Sequence, residues 1–464
     1  MPHGIEGNEA TDNPQEQGEH NVRHRRGSLV VATSALAVGL VAAACSNSNN
    51  SGTGSPGTTG AGTHVASTAP GVTSNSITVG SLATASGALS EGFAEVQDGA
   101  QAYFDAVNAA GGVDGRKIYL KYHADDTGSP TNDTTQARNL VEQDSVFAVV
   151  GVGTPFFDGA SFFAAEGTPA FGYVVTQDWN NHPDLFGAYG SYLQYTTSQP
   201  DEVYLAQQLH ATSVGVLAYS IAASSEDACK SVVAGLKQAG IHVGFEDVGF
   251  GLGANPTADV LAMKAAHVDM FISCMEGSDN LAVDQAMYQN GMTGVHSIWL
   301  NGYNRAYLTQ DPQVMEGVIY LEQHVPFEAA SQFPGKYPAM AQYLATMEKY
   351  EPKWTYDDDA FQGYLNGVQF VQGLQEEAKT GKPLTQADLI ATINKETAFT
   401  GGLTTPVNWT NAHVSAFPPY CAAFVEVEPH DVLKVVFAGK NDEVFVCGNN
   451  QNKIIPVPAG TPGL

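Results

Sequence analysis

Apolar residues recur along this chain in two rhythms. From residue 77 onward, short apolar runs alternate with stretches whose hydrophobic positions fall three and four apart. Short runs bounded by turn residues read as strands, and the wider spacing reads as helix. The first strand is expected at 77–83. A helix is expected over 92–108, with Phe93, Val96, Ala100, Tyr103, Phe104 and Val107 on one stripe. Gly111 and Gly112 stop it, since a helix C-terminus often ends in a residue at positive φ. Next come a strand at 117–123, a helix at 132–143, a strand at 146–151, a short helix at 157–165 and a strand at 169–174.

A second series opens near residue 198. Strands are expected at 214–219, 242–246, 268–273, 297–300 and 318–323, with helices at 225–239, 258–266 and 279–290 between them. Two βα series of similar length predict an α/β protein of two doubly wound, mostly parallel-sheet lobes. Helices follow at 337–349, 359–375 and 385–393. In the second, Phe361, Tyr364, Leu365, Val368, Val371 and Leu374 share a face. The chain closes with short antiparallel strands at 421–427, 432–437 and 443–447, and Gly439-Lys440-Asn441-Asp442 suits a hairpin turn between the last two.

The first 74 residues follow neither rhythm. Residues 1–22 are polar. Arg23, Arg25 and Arg26 precede an apolar run at 28–44, which Cys45 ends. That order reads as a targeting segment, and the run is marginal as a membrane span. Val41-Ala42-Ala43-Ala44-Cys45 resembles a bacterial lipobox, although Ala42 stands where that motif usually has Leu or Val. The resemblance implies cleavage before Cys45, lipidation of its thiol and anchoring to the outer face of the cytoplasmic membrane. The alternative is a secretory peptide with a chance cysteine. Residues 25–29 also allow twin-arginine export. Residues 46–74, rich in Ser, Gly, Thr and Asn, read as a flexible tether.

Charge narrows the function. The chain has 20 Lys and Arg against 48 Asp and Glu, a net charge of −28. Nucleic-acid binding needs clustered cations and is excluded as a partner class. In an exported chain, Cys229, Cys274, Cys421 and Cys447 suggest up to two disulfides. The pairs expected are Cys421–Cys447, on two late strands, and Cys229–Cys274, the first in the turn after the first strand of the second series and the other at the end of its third, strands that neighbour each other in the common doubly wound order. No Cys or His spacing suggests a metal site. Asp125-Asp126 is read as fixing the loop after the second strand, and Asp357-Asp358-Asp359 as favouring a helix dipole. No G-x-S-x-G, H-E-x-x-H or Walker loop is present, and no cofactor or enzymatic activity is expected.

Three stretches carry a more specific resemblance: 77–127 with AAGGVDGRKIYL, ARNLVEQDSVFAVVGVG at 137–153, and FTGGLTTPVNW at 399–409. They resemble the type I periplasmic-binding-protein fold, in the branched-chain amino-acid (Leu/Ile/Val) substrate-binding family of ABC importers. The resemblance implies discontinuous lobes, 75–195 plus 328–405 and 196–327 plus 406–464, joined by three crossovers that act as a hinge. It also implies a monomer that closes on a small-molecule ligand and passes it to permease and ATPase subunits.

Loops at the C-terminal ends of parallel strands should face the ligand. By the resemblance, Thr154, Phe156, Tyr173 and Thr176 stand where the family holds a ligand carboxylate. Tyr219, Ser224, Glu276 and Asn301 stand on the opposite wall. Asn301 occupies the place of the carboxylate that pairs with a ligand ammonium in amino-acid binders, and Ser224 stands where the family often has an aromatic. An unpaired buried ammonium is costly. Either Glu276 supplies the charge or the ligand is not an α-amino acid; a neutral amide or an aromatic or aliphatic acid then fits. A ligand-sensing receptor component without transport is the competing function.

Overall fold

The computed structural model describes residues 67–193, 200–415, 420–449 and 451–463. Cys45 and the apolar run at 28–44 lie outside the described residues. The last part of the expected tether, 67–74, lies against the body of the protein. Ser67 Oγ donates to Leu384 O at 2.5 Å, and Thr78 N donates to Gly71 O at 2.8 Å.

Two sheets organise the molecule. The first holds β1 (Ser76–Ala83), β2 (Lys117–Asp125), β3 (Val149–Gly153), β4 (Ala170–Gly172) and β5 (Leu185–Gly187), in the order β2-β1-β3-β4-β5. Every pairing in it is parallel. The second holds β6 (Val214–Tyr219), β7 (Val243–Phe250), β8 (Met270–Ser273), β9 (His296–Trp299) and β10 (Ile319–Glu322), followed by β11 (Tyr420–Glu428), β12 (Val432–Val436), β13 (Val446–Gly448) and β14 (Ile454–Ile455). Its order is β14-β13-β11-β10-β9-β8-β6-β7, with β12 also paired to β11. Pairings are parallel from β7 to β10 and antiparallel beyond. β3 and β6 are buried at every position, as continuous apolar runs between two helical layers must be.

Each sheet reverses its strand order once on the parallel side, between β1 and β3 and between β6 and β8. Such switch points open a crevice at the carboxyl ends of the strands. A helix pair fixes the first crevice. Val96–Ala109 crosses Asp358–Ala378 with backbones nearly touching. A Cβ on Gly99 would fall 1.7 Å from Ala360 O, and one on Gly363 would fall 1.7 Å from Val96 O. Tyr103 and Tyr364 pack edge-on beside this crossing, with centroids 4.7 Å apart. The crossing sets the start of the second helix, and its acidic residues, beside the strand ends.

Several elements depart from expectation. The first helix starts at Val96, because residues 91–95 form turns and Gly92 sits at φ +89°. The expected helix at 132–143 is α only over Pro130–Arg138, then widens into a π turn at Asn139–Gln143, where Asp144 N reaches Asn139 O at 2.9 Å. The hairpin expected at 439–442 does not form. β12 pairs with Phe424–Glu428 of β11 and β13 pairs with 420–422, both antiparallel, so β12 and β13 run in the same direction. The true hairpin joins β11 to β12, where His430 and Asp431 adopt positive φ.

Candidate functional site

Both crevices open into one cavity of about 730 Å³. The loop after β1 brings Glu91, Gly92 and Phe93 to it, and the loop after β4 brings Tyr173 and Val175. The helix Ala223–Gln238 after β6 brings Ser224, the loop after β8 brings Cys274 and Glu276, and the helix Gly277–Gln289 that follows brings Asp279. Asn301 follows β9, Glu322 ends β10, and Asp358, Asp359 and Gln362 come from the first turns of their helix.

Of the residues expected at the ligand, Tyr173, Tyr219, Ser224, Glu276 and Asn301 line the cavity. Tyr173 OH lies 3.4 Å from Asn301 Oδ1, a contact between the two walls. Tyr219 OH donates to Asp279 Oδ2 at 2.7 Å and accepts from Glu276 N at 3.3 Å. Thr154, Phe156 and Thr176 are not among the lining residues. The Thr154 hydroxyl is buried against Asp126 Oδ2 and accepts Phe156 N at 3.1 Å. Its partners hold the loop. Thr176 Oγ1 is buried without a hydrogen-bond partner. Asp125 accepts from Ala85 N, Ser86 N and Thr127 N, and Asp126 from Gly128 N and Thr84 Oγ1. Both carboxylates tie the loops after β1 and β2 together.

The structure brings both expected cysteine pairs together. Cys229 joins Cys274 across 5.9 Å between Cα atoms, and Cys421 joins Cys447 across 4.0 Å. Cys274 and Cys421 form part of the cavity wall.

The wall is acidic. Eight of its residues are carboxylic: Glu91, Asp201, Glu202, Glu276, Asp279, Glu322, Asp358 and Asp359. Among the described lining residues none is Lys, Arg or His. Glu91 spans the two walls, accepting Ser278 N at 2.7 Å and the hydroxyls of Ser278 and Tyr307. Gly92 leaves room for Glu276, because a Cβ there would fall 2.6 Å from Glu276 Oε2. Burial, with Glu91, Asp358 and Asp279 as negative neighbours, holds the Glu276 carboxyl well above the usual range. Burial pushes Asp358 up to about 8 and Glu202 up to about 7. Burial likewise lowers His324 to about 4, so the imidazole 3.1 Å from Glu322 Oε2 is neutral near pH 7. Glu95, Asp357 and Asp359 converge to within 4.8 Å of one another beside the same helix start.

Sequence reasoning missed most of this wall. Asp358 and Asp359 were assigned to the helix dipole, and Asp201 and Glu202 were not singled out. The available signal was acidic pairs opening helices with no Lys or Arg a turn later: Gln362 stands four after Asp358, and Leu205 four after Asp201.

Two mostly parallel sheets whose strand ends line one solute-sized cavity define a bilobal binding protein. The chain belongs to the periplasmic binding protein family, whose model matches residues 76–431. The fold is that of the type I members. It is similar to the fatty acid ABC transporter substrate-binding protein of Thermomonospora curvata, with 18% identity, 85% of this chain and 97% of that one covered, and a TM-score of 0.67. It is also similar to the branched-chain amino acid transporter substrate-binding protein LivJ of Streptococcus pneumoniae, solved with isoleucine, at 18% identity, 78% and 99% coverage and a TM-score of 0.64. An ABC transporter substrate-binding protein of Aeropyrum pernix gives 15% identity, 78% and 95% coverage and a TM-score of 0.65. No curated protein sequence matches the chain. Family membership implies an extracytoplasmic, solute-binding protein. Among the described residues no helix is long and apolar enough to cross a membrane.

Proposed function

We propose that the protein is the solute-capturing component of an ABC importer, without catalytic activity of its own. The observation that carries this reading is the 730 Å³ cavity between two strand-end crevices. It falls within the range of roughly 300–1,000 Å³ typical of small-molecule sites. The residues that serve capture are Tyr173, Tyr219, Glu276 and Asn301, with Glu91 bonding across the cleft once the walls meet. Residues 75–195 plus 328–405 and 196–327 plus 406–464 act as lobes that close by hinge motion. In support, the segments at 323–325 and 403–405 run side by side between the sheets, with Val325 N donating to Leu403 O at 2.8 Å. A permease and an ATPase then take the solute onward. The named functions of several similar structures support that role.

A thermal-shift screen of amino acids, amides, carboxylic acids and amines tests capture. A solute at about 100 times its dissociation constant adds roughly 2.7 kcal/mol of stability, a visible rise in melting temperature. Steady chemical conversion of the stabilising solute contradicts the reading. The apolar run at 28–44 and its resemblance to a lipobox at 41–45 support attachment through a lipid on Cys45. Membrane fractionation of Cys45→Ser should then find the protein released, and retention of the variant on membranes contradicts the anchor.

A further inference from the structure

We infer that the cavity takes an organic cation, with one or more protonated amines on an apolar body and no carboxylate. This rests on the solute-binding reading and names the solute class.

Three observations carry it. The first is the sign of the wall, with eight carboxylic residues and, among the described lining residues, no basic one. Burying that many acids without counter-charges costs free energy, and such groups persist where a bound charge completes them. The second is a set of acceptors with nothing to accept. Asp201 Oδ1, Glu202 Oε2, Glu322 Oε1 and Gln362 Oε1 are buried at the wall without a hydrogen-bond partner. Their residues are 5%, 3%, 4% and 3% exposed. These oxygens are sealed from the cavity as the wall stands, so an ammonium or guanidinium supplies their missing N–H donors once the side chains turn inward onto it. The third is a thinned anion cradle: of the four residues expected to hold a carboxylate, Tyr173 lines the cavity and Thr154, Phe156 and Thr176 do not. Thr154 spends its hydroxyl on Asp126 and Phe156 and stays off the wall. A ligand carboxylate would meet eight acidic residues and no basic side chain among the described lining residues, whereas an ammonium would find acceptors around it.

The rest of the wall suits the body of such a solute. Leu89, Phe93, Val175, Leu252 and Leu300 supply apolar surface. Tyr173, Tyr189 and Tyr219 supply ring faces, which attract cations. Both features distinguish an organic cation from a bare metal ion, which would need neither.

Calorimetry on the full chain decides it, with spermidine, choline, isoleucine, sodium decanoate and calcium chloride as separate probes. One of the two amines should bind at one site per chain, and isoleucine and decanoate should not. Glu322→Gln and Asp358→Asn, which keep shape and cannot ionise against a bound cation, should each weaken that binding at least tenfold. Their solute-free melting temperatures should stay unchanged or rise, because burial already holds both carboxyls largely protonated near pH 7 without a solute; this separates lost binding from lost folding. Isoleucine or decanoate binding while both amines fail overturns the charge inference and leaves solute capture standing. So does calcium binding that excludes the amines. Amine binding that both variants leave untouched also overturns it, since it then belongs to the acidic surface. Silence from every probe overturns the charge inference and leaves solute capture to the thermal-shift screen.

Discussion

Single residues show how burial sets protonation here. Asp133 lies in the helix Pro130–Arg138 with Oδ1 accepting Gly159 N at 2.6 Å and Oδ2 buried without a partner. Burial, reinforced by Asp126, Asp158 and Asp178, pushes it from 3.8 up to about 8. A raised folded pKa stabilises the fold while the group is protonated. The contribution is complete below about 3.8, declines as pH rises and is gone above about 8. Asp133→Asn keeps the Gly159 bond and cannot ionise. The variant should lose part of the fall in melting temperature between pH 5 and 9 that the parent shows; an unchanged slope would place the alkaline sensitivity elsewhere. At this scale the sequence was partly legible. The pairing duty of Asp125 and Asp126 follows from their place after a strand. Nothing local announces that Thr154, a plausible ligand contact by resemblance, has a carboxylate under it. That knowledge requires β2 and β3 brought to opposite sides of β1.

Elements were read well where one physical pattern dominated. Continuous apolar runs marked β1, β3, β6, β8 and β10, because both faces of those strands are covered. Short β5 was missed, since three residues carry no period. The misplaced hairpin has a related cause. Gly, Asn and Asp mark a turn without saying whether the flanking strands pair with each other or with a third. The helix crossing of Val96–Ala109 with Asp358–Ala378 was also hidden, since its glycines matter only across the contact. It positions Asp358 and Asp359 for the cavity, so it can be tested through both stability and binding. Gly363→Val would drive a side chain into Val96 O. Overpacking of this kind typically costs about 1–3 kcal/mol, and more where backbone must move. Chemical denaturation should show a loss of at least that size. A neutral result would mean the helices are free to separate and do not fix the acidic wall.

At the scale of the whole molecule, fold and ligand class separate. The two-sheet frame was legible because it repeats one βα grammar over hundreds of residues. Its site was legible only in part: Tyr173, Tyr219, Ser224, Glu276 and Asn301 line the cavity as expected, but the acidic wall collects residues from loops after six or more strands and from a distant helix. The net charge of −28 is a property of the entire chain. The exclusion of basic residues from the described wall is a property of the cavity, and it turns a solute binder into a cation binder. The same scaffold in similar structures is named for fatty acid and for branched-chain amino acid transport, so the frame alone does not choose. The most direct measurement is native mass spectrometry of the protein purified gently from its own cell envelope, followed by release and identification of whatever it carries. A bound small molecule with a basic nitrogen and no carboxylate is the predicted result. A fatty acid or an amino acid released at one equivalent per chain would contradict it.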